Sequence, residues 1–346
     1  MYRNSLTGKI AASLLIALLT VFSVGFTWAV VDDYVRRDVM PSRASIDSVP
    51  VGGTTRTQAT RVTEERVKAK LLSPATVRFR DKSFTLDPAG YASVDVEGMV
   101  DGALKPKSDA LIVYRVLDRV TALPIGGDVE RKMRLDEAKL SAWIAELDLK
   151  VATPAVDATY SVETSGLVVV ADVDGHRIDT TAAVPALSKA LLACEKDIAL
   201  PDLAIPAKLT KANFGNTILV RLSARRLWFY DSDTLLKTYP IAVGTGAHPT
   251  PQGVWKVVNK RKYPSWSNPA PNGWGAGMPA YIPPGPSNPL GTRAIDLDAS
   301  GIRFHGTKNI ASVGTAASHG CMRMYRANVE EFFELVPIGT RVIIVR

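Results

Sequence analysis

Phe304-His-Gly-Thr-Lys-Asn-Ile-Ala-Ser-Val-Gly-Thr-Ala-Ala-Ser-His-Gly-Cys-Met-Arg-Met-Tyr325 holds two of the chain's four histidines and one of its two cysteines. A cysteine attacks only as thiolate, and a nearby imidazole that accepts its proton is the usual way to obtain one. Cys321 has His305 and His319 as candidates for that task. Gly306 and Gly320 carry no side chain, so backbone can approach a reacting group there and offer N–H groups to a developing oxyanion.

Outward from this stretch, 346 residues suffice for two or three domains with separate cores. At 46% hydrophobic and 22% charged the composition is globular. The net charge of +8 favours anionic surroundings such as a lipid surface or a polyanionic wall polymer. The basic residues are scattered, with no Lys/Arg run interleaved with aromatics, which argues against nucleic acid as partner. Two cysteines in so long a chain do not make a disulfide scaffold, and their spacing is not that of a zinc ribbon. A Cys194–Cys321 disulfide stays formally open but would consume the candidate nucleophile. Cys194, in an apolar helical pattern, reads as a buried small hydrophobe.

Ile10 to Val31 contains no charged side chain, and a bilayer core needs about 20 helical residues. The segment therefore predicts a transmembrane anchor. Arg3 and Lys9 precede it and Asp32 and Asp33 follow, which places residues 1–9 in the cytoplasm and the remainder outside. A cleaved signal peptide ending near Thr27-Trp28-Ala29 is the competing reading. Residues 32–45 read as a tether. A small α+β domain is expected over 46–200, with helices at Thr55–Leu72, begun by a Thr55/Gln58 capping box, at Leu135–Leu147 and at Thr181–Cys194. Strands are expected at Thr76–Arg80, Ser83–Leu86, Leu111–Val116, Tyr160–Thr164 and Leu167–Ala171. His176 with Asp172, Asp174 and Asp179 could hold a metal, although a solvated loop explains them as well.

Residues 201–213 are the expected linker, and 214–346 read as strands and turns: Thr217–Leu222, Arg226–Tyr230, Thr238–Val243 and Val254–Asn259. One helix, capped by Asn328 with Glu331, leads to a last strand Arg341–Val345. The fold class is thus α+β, with a mostly-β C-terminal sandwich carrying one helix, preceded by the small α+β domain and the membrane helix.

The C-terminal part resembles the YkuD-type L,D-transpeptidases over essentially its whole length. The residues that carry the likeness are Val243-Gly244, Thr250-Pro-Gln-Gly253, Asn288-Pro-Leu-Gly291, His305-Gly-Thr307, Ser318-His-Gly-Cys-Met-Arg-Met324 and Pro337-Ile-Gly-Thr340. The resemblance implies a cysteine acyltransferase of cell-wall biogenesis. Such enzymes attack the diaminopimelate–D-alanine bond of a donor stem peptide, release D-alanine and pass the acyl group to an amine of a neighbouring stem. It makes Cys321 the nucleophile and His305 the base, with the ring oriented by the Gly306 carbonyl. His319 and Ser318 would support the loop, and the Gly320 and Cys321 N–H groups would hold the oxyanion. Arg323, where some members carry asparagine, is a candidate for a substrate carboxylate. No cofactor or metal is implied, and carbapenem-type inhibitors would acylate the thiol. The segments Val49-Pro-Val-Gly-Gly-Thr54, Phe84-Thr-Leu-Asp-Pro88, Val100-Asp-Gly-Ala-Leu104 and Gly175-His-Arg-Ile-Asp179 resemble the peptidoglycan-binding domain of VanW-type and some transpeptidase proteins.

Tyr263 to Gly291, crowded with Pro, Gly and aromatics, occupies the place of that family's active-site cap. Trp274, Met278 and Tyr281 are its candidates for lining the substrate channel. His248, in a Gly-rich turn, reads as a surface residue. Rival readings are a zinc site on His305, His319 and Cys321, a non-catalytic wall-binding scaffold, an L,D-carboxypeptidase and a protein-anchoring enzyme.

Overall fold

The computed structural model describes residues 6–119 and 124–346. Residues 1–5 of the expected cytoplasmic segment, Arg3 among them, lie outside the described residues. The chain divides into two compact units, Met1–Thr153 with His176–Leu203, and Pro154–Gly175 with Ala204–Arg346.

The first unit opens with the helix Leu6–Val35. Its stretch Lys9–Val35, of mean hydropathy 2.3, is long and apolar enough to cross a membrane. At its end Asp32 and Asp33 meet Arg119, and Arg115 lies 3.4 Å from Asp33. Those arginines sit on a helix, Ile112–Arg119, where the sequence predicts the strand Leu111–Val116. The β-branched Ile112, Val113 and Val116 favour a strand. Arg115 and Arg119, four apart, reach the two aspartates together only from one side of a helix, and this tertiary contact prevails. The helix Val96–Asp109 is disguised in the sequence by Gly98, Gly102 and Pro106. It forms because Asp95 caps it through the Gly98 N–H (2.8 Å) and Met99, Val100 and Ala103 are buried.

The helix beginning at Arg56 stands behind the expected capping box: Gln58 N–H donates to Thr55 Oγ1 and Thr55 N–H to Gln58 Oε1. It passes through a π-helical turn, Thr63–Lys68, before ending at Leu71. The helices Glu137–Val151 and Thr180–Leu192 bury Leu140, Ile144 and Leu187 with Val77, Phe79 and Ile198 from a three-stranded sheet. The acids near His176 are each engaged locally. Asp172 and Asp174 accept backbone N–H groups from Lys211 and Ala207, and Asp179 caps its helix through Thr181 and Ala182. His176 pairs with Asp202 at 2.9 Å. Cys194 and Cys321 are both free thiols.

The second unit is built on one eight-stranded mixed sheet. Its strands are β1 (Asn216–Arg221), β2 (Arg226–Asp231), β3 (Thr234–Pro240), β4 (Gly253–Lys262), β5 (Arg293–Leu297), β6 (Arg303–Gly306), β7 (Met322–Met324) and β8 (Arg341–Val345). The spatial order is β3-β2-β1-β8-β4-β5-β6-β7, with β1/β8 and β6/β7 parallel and the other pairs antiparallel. Just beyond β3, Ala242 N–H donates to Arg323 O (2.8 Å) and Arg323 N–H to Ala242 O (3.1 Å). The two edges of the sheet are thereby joined.

In β1, Thr217 to Val220 are all buried, so both faces of the sheet must be covered. One face is closed by the helix Arg326–Leu335, whose Phe332 meets Phe229, Tyr239 and Phe304 edge-on at 5.4–5.9 Å. The other face is covered by the hairpin Thr159–Glu163/Gly166–Val170, whose Leu167 packs with Leu219, Tyr230 and Ile343. The sequence places that hairpin in the 46–200 domain; the apolar second face of β1 and β8 draws it into the C-terminal unit. The linker expected at 201–213 contains a strand, Asp202–Ile205. Asn328 does not cap the C-terminal helix, which starts at Arg326 with Tyr325 at the N-cap and no side-chain cap. Glu331 instead accepts from Lys237 (2.6 Å) and the Tyr239 hydroxyl (2.9 Å).

Candidate active site

Strands β6 and β7 run side by side in the register Phe304–Met322, His305–Arg323 and Gly306–Met324. Side chains alternate faces along a strand. Phe304, Met322 and Met324 are fully buried in the core, so Arg303, His305, Cys321 and Arg323 project from the opposite face. All four line one cavity of about 460 Å³. Its charged lining residues, Arg303, Lys308 and Arg323, are all cationic.

His305 is 5% exposed, and its Nδ1 lies 2.7 Å from the Gly306 carbonyl oxygen. A carbonyl can only accept, so Nδ1 carries the proton and Nε2 is left with a lone pair. Burial holds the imidazole far below the usual histidine range, at about 4. The Gly306 carbonyl opposes this, and Arg323 and Arg303 reinforce it. Burial also pushes the Cys321 thiol up, against the pull of Arg303 and Arg323 toward thiolate. The same two guanidiniums therefore favour the unprotonated form of both partners. The Cys321 thiol meanwhile lies 3.2 Å from the Gly301 carbonyl. Asp296, one strand further on in β5, holds Arg303 at 2.9 Å and Arg261 through both oxygens.

The turn before Cys321 is held from within. Ser318 is buried; its hydroxyl donates to the Cys321 carbonyl (2.6 Å) and accepts the Gly320 N–H (3.2 Å). Gly320 has φ +108°, outside the range comfortable for other residues. Its carbonyl accepts from Thr250 Oγ1 (2.8 Å), which in turn accepts the Gly244 N–H (2.9 Å). The quoted Val243-Gly244 and Thr250 motifs are thus the outer brace of the Cys321 turn. The Gly320 N–H is already engaged by Ser318, which corrects its expected place among the oxyanion donors.

Trp274 and Met278 line the cavity. Tyr281 does not: it is 56% exposed and pairs with Ser267 in a short two-stranded ribbon. His319 is exposed at the mouth and stacks on Trp274, centroids 3.9 Å apart and planes at 13°. The half-buried His248 ring lies 4.7 Å from His319. Burial, then His248, lowers the His319 imidazole from its ordinary value. Asn288 is the residue whose part the sequence conceals. It is fully buried, donates to the carbonyls of Pro264, Ile282 and Pro283, and accepts the Leu290 N–H. The long aromatic loop is thereby fastened at its base, and the Asn-Pro spacing was the available signal. Among the described residues no three His, Cys, Asp or Glu side chains cluster as metal ligands would.

Residues 215–344 match the family described as "L,D-transpeptidase catalytic domain", and residues 83–199 the one described as "Putative peptidoglycan binding domain". The chain is 32% identical over 160 residues to the "Putative L,D-transpeptidase YkuD" of Bacillus licheniformis, covering 46% of this chain and 81% of the relative. It is 32% identical over 173 residues to the protein of the same name in Bacillus subtilis, covering 49% and 88%. Against the "Probable L,D-transpeptidase ErfK/SrfK" of Escherichia coli the identity is 33% and the coverage 43% and 52%. Among solved structures, an Enterococcus faecium L,D-transpeptidase mutant aligns over 82% of this chain and all of its own, at 19% identity and TM-score 0.35.

Proposed function

The chain belongs to the YkuD-type L,D-transpeptidases, and from that membership we propose how its own residues carry the reaction. The observation that carries the reading is the common face of β6 and β7. It presents Cys321 and a histidine of fixed tautomer to one cavity whose charged lining is cationic. The substrate is a peptidoglycan stem peptide, an amide donor that also bears free carboxylates. Arg323 and Lys308 are suited to hold such carboxylates, Arg323 through a planar pair of donors.

In the resting site both partners are neutral, because burial disfavours imidazolium and thiolate alike. Proton transfer accordingly accompanies attack. His305 Nε2 takes the Cys321 proton as sulfur bonds to the carbonyl carbon of the diaminopimelate–D-alanine link, and the carbonyl oxygen becomes an oxyanion. Arg303 and Arg323 offset the charge as it develops, and the Cys321 N–H is the remaining backbone donor of the pair considered. The tetrahedral species collapses with cleavage of the C–N bond, and the imidazolium returns its proton to the departing D-alanine amine. A second amine, from a neighbouring stem, gives its proton to His305 as it attacks the thioester, and the thiol is restored. Ser318 and His319 act as positioning residues, one on the Cys321 turn and one on Trp274.

The Leu6–Val35 helix serves as a single-pass anchor in this reading, with the catalytic unit on the extracytoplasmic side facing the wall. Its support is the apolar Lys9–Val35 stretch together with the match to a peptidoglycan-binding family over residues 83–199. Mass spectrometry of the chain mixed with disaccharide tetrapeptide tests the whole. Expected are an acyl adduct on Cys321, free D-alanine and a cross-linked dimer. A chain that released D-alanine without any adduct on Cys321 would overturn the mechanism.

A further inference from the structure

The helix Ile112–Arg119 is amphipathic in the reverse sense to a helix of a soluble domain. Arg115, Asp118 and Arg119, three and four apart, turn inward: the arginines to Asp32 and Asp33, the buried Asp118 to Ser42 and to the Ile125 N–H. The outer side carries Val113 and Tyr114, with the half-buried Leu117 three and four residues further on and Leu111 at the entrance. Leu111, Val113 and Tyr114 are 71%, 58% and 49% exposed. Soluble surfaces do not normally spend charges inside and apolar side chains outside on one short helix.

The level at which this helix sits identifies its partner. Its two arginines bind the pair of aspartates that directly follows the apolar run Ile10 to Val31. The joint is reinforced by Lys107, buried, whose Nζ donates to the carbonyls of Arg36 (2.6 Å) and Val39 (2.8 Å) where the anchor helix ends. The outward apolar face is therefore carried by a helix that packs against the end of the membrane segment. We infer that Ile112–Arg119 is a membrane-interface foot, its Leu111, Val113, Tyr114 face seated in the lipid at the headgroup–acyl boundary. A tyrosine at that depth keeps its hydroxyl wet and its ring in lipid. Anchor and foot together give the first unit two points of attachment to the bilayer, which restricts its tilt where a single helix would leave it free to swing. The inference rests on the anchor reading above.

The test uses the full chain in liposomes, with Cys194→Ser and Cys321→Ser so that one introduced cysteine carries an environment-sensitive fluorophore. The label is placed at Val113→Cys, at Phe22→Cys inside the anchor and at Leu149→Cys, an 84% exposed position of the same unit. Phospholipids bearing a nitroxide near the headgroup end of the acyl chain should quench the label at 113, and iodide in the water should quench it several-fold less than the label at 149. Equal iodide quenching at 113 and 149 overturns the foot alone, provided that 22 is quenched by lipid. A label at 113 shielded from both quenchers assigns the face to another protein surface and also overturns it. If the label at 22 is reached neither by these lipids nor by phospholipids bearing a nitroxide near the chain end, the anchor reading fails and the foot with it.

Discussion

His305 and Gly306 are bonded to each other as well as adjacent in sequence: the ring Nδ1 lies 2.7 Å from the next residue's carbonyl. An orienting group that carries no charge replaces the carboxylate of a serine-protease triad. It fixes the tautomer without supplying the negative charge that would raise the imidazole, and burial then sets the value low.

The first expectation concerns pH. The proposed mechanism requires the base form of His305, and its imidazole is held at about 4. Carbapenem acylation of Cys321, followed as added mass against time, should keep its rate through pH 6 and fall only as pH approaches 4. A half-loss near 6.5 would mean a solvated histidine. The same burial makes a stability contribution present above the unfolded value of about 6.5 and lost as pH falls through about 4.

Removing the nucleophile should separate chemistry from fold. Cys321→Ala is expected to abolish D-alanine release, with a melting temperature within a few degrees of the parent. His305→Ala should lower turnover by at least about 10²-fold, the scale of general acid–base assistance. Retained cross-linking in Cys321→Ala, read by chromatography of muropeptides, would contradict the assigned role.

Asn288→Ala strands the buried Pro264 carbonyl and Leu290 N–H, and frees the part-buried carbonyls of Ile282 and Pro283. Each buried group left unpaired costs about 1–3 kcal/mol. The aromatic loop should come loose locally, seen as faster amide exchange over 264–290 with β1 and β8 unchanged. Unchanged exchange in the loop would show that its aromatics alone hold it.

Trp274→Ala removes the ring stacked on His319 at the cavity mouth. Aromatic stacking contributes about 0.5–1.5 kcal/mol. The expected result is a KM for donor peptide raised by up to about tenfold, with kcat changed less. A loss confined to kcat would instead place Trp274 against the reacting atoms.

The parts of the fold that announce themselves in the sequence are those settled locally. Arg341–Val345 and the Thr55/Gln58 box stand where pattern and capping chemistry put them. The misreadings share a physical cause, that the deciding partner lies far away in the chain. Leu111–Val116 has a strand-like composition until Asp32 and Asp33 are set beside Arg115 and Arg119. Glu331 looks like half of a helix cap until Lys237 and Tyr239 reach it across the sheet. In the candidate site, Cys321 and His305 are legible because their residue types and spacing carry chemistry. Asn288 acts through hydrogen-bond supply to the base of the aromatic loop, which only the folded chain displays.

The bridge from Ala242 to Arg323 constrains how a ligand can be received. A terminal strand ordinarily offers its outer amides to any extended peptide, and many binding domains select partners by adding such a peptide to the sheet. Here the outer amide and carbonyl of Arg323 are already taken, and Thr245 N–H occupies the Ser318 carbonyl on the same side. A stem peptide therefore cannot anneal its backbone to the outer edge of Arg323. More of the recognition is then left to the cavity's side chains, and its cationic Arg303, Lys308 and Arg323 are matched to a ligand's carboxylate ends rather than to its backbone.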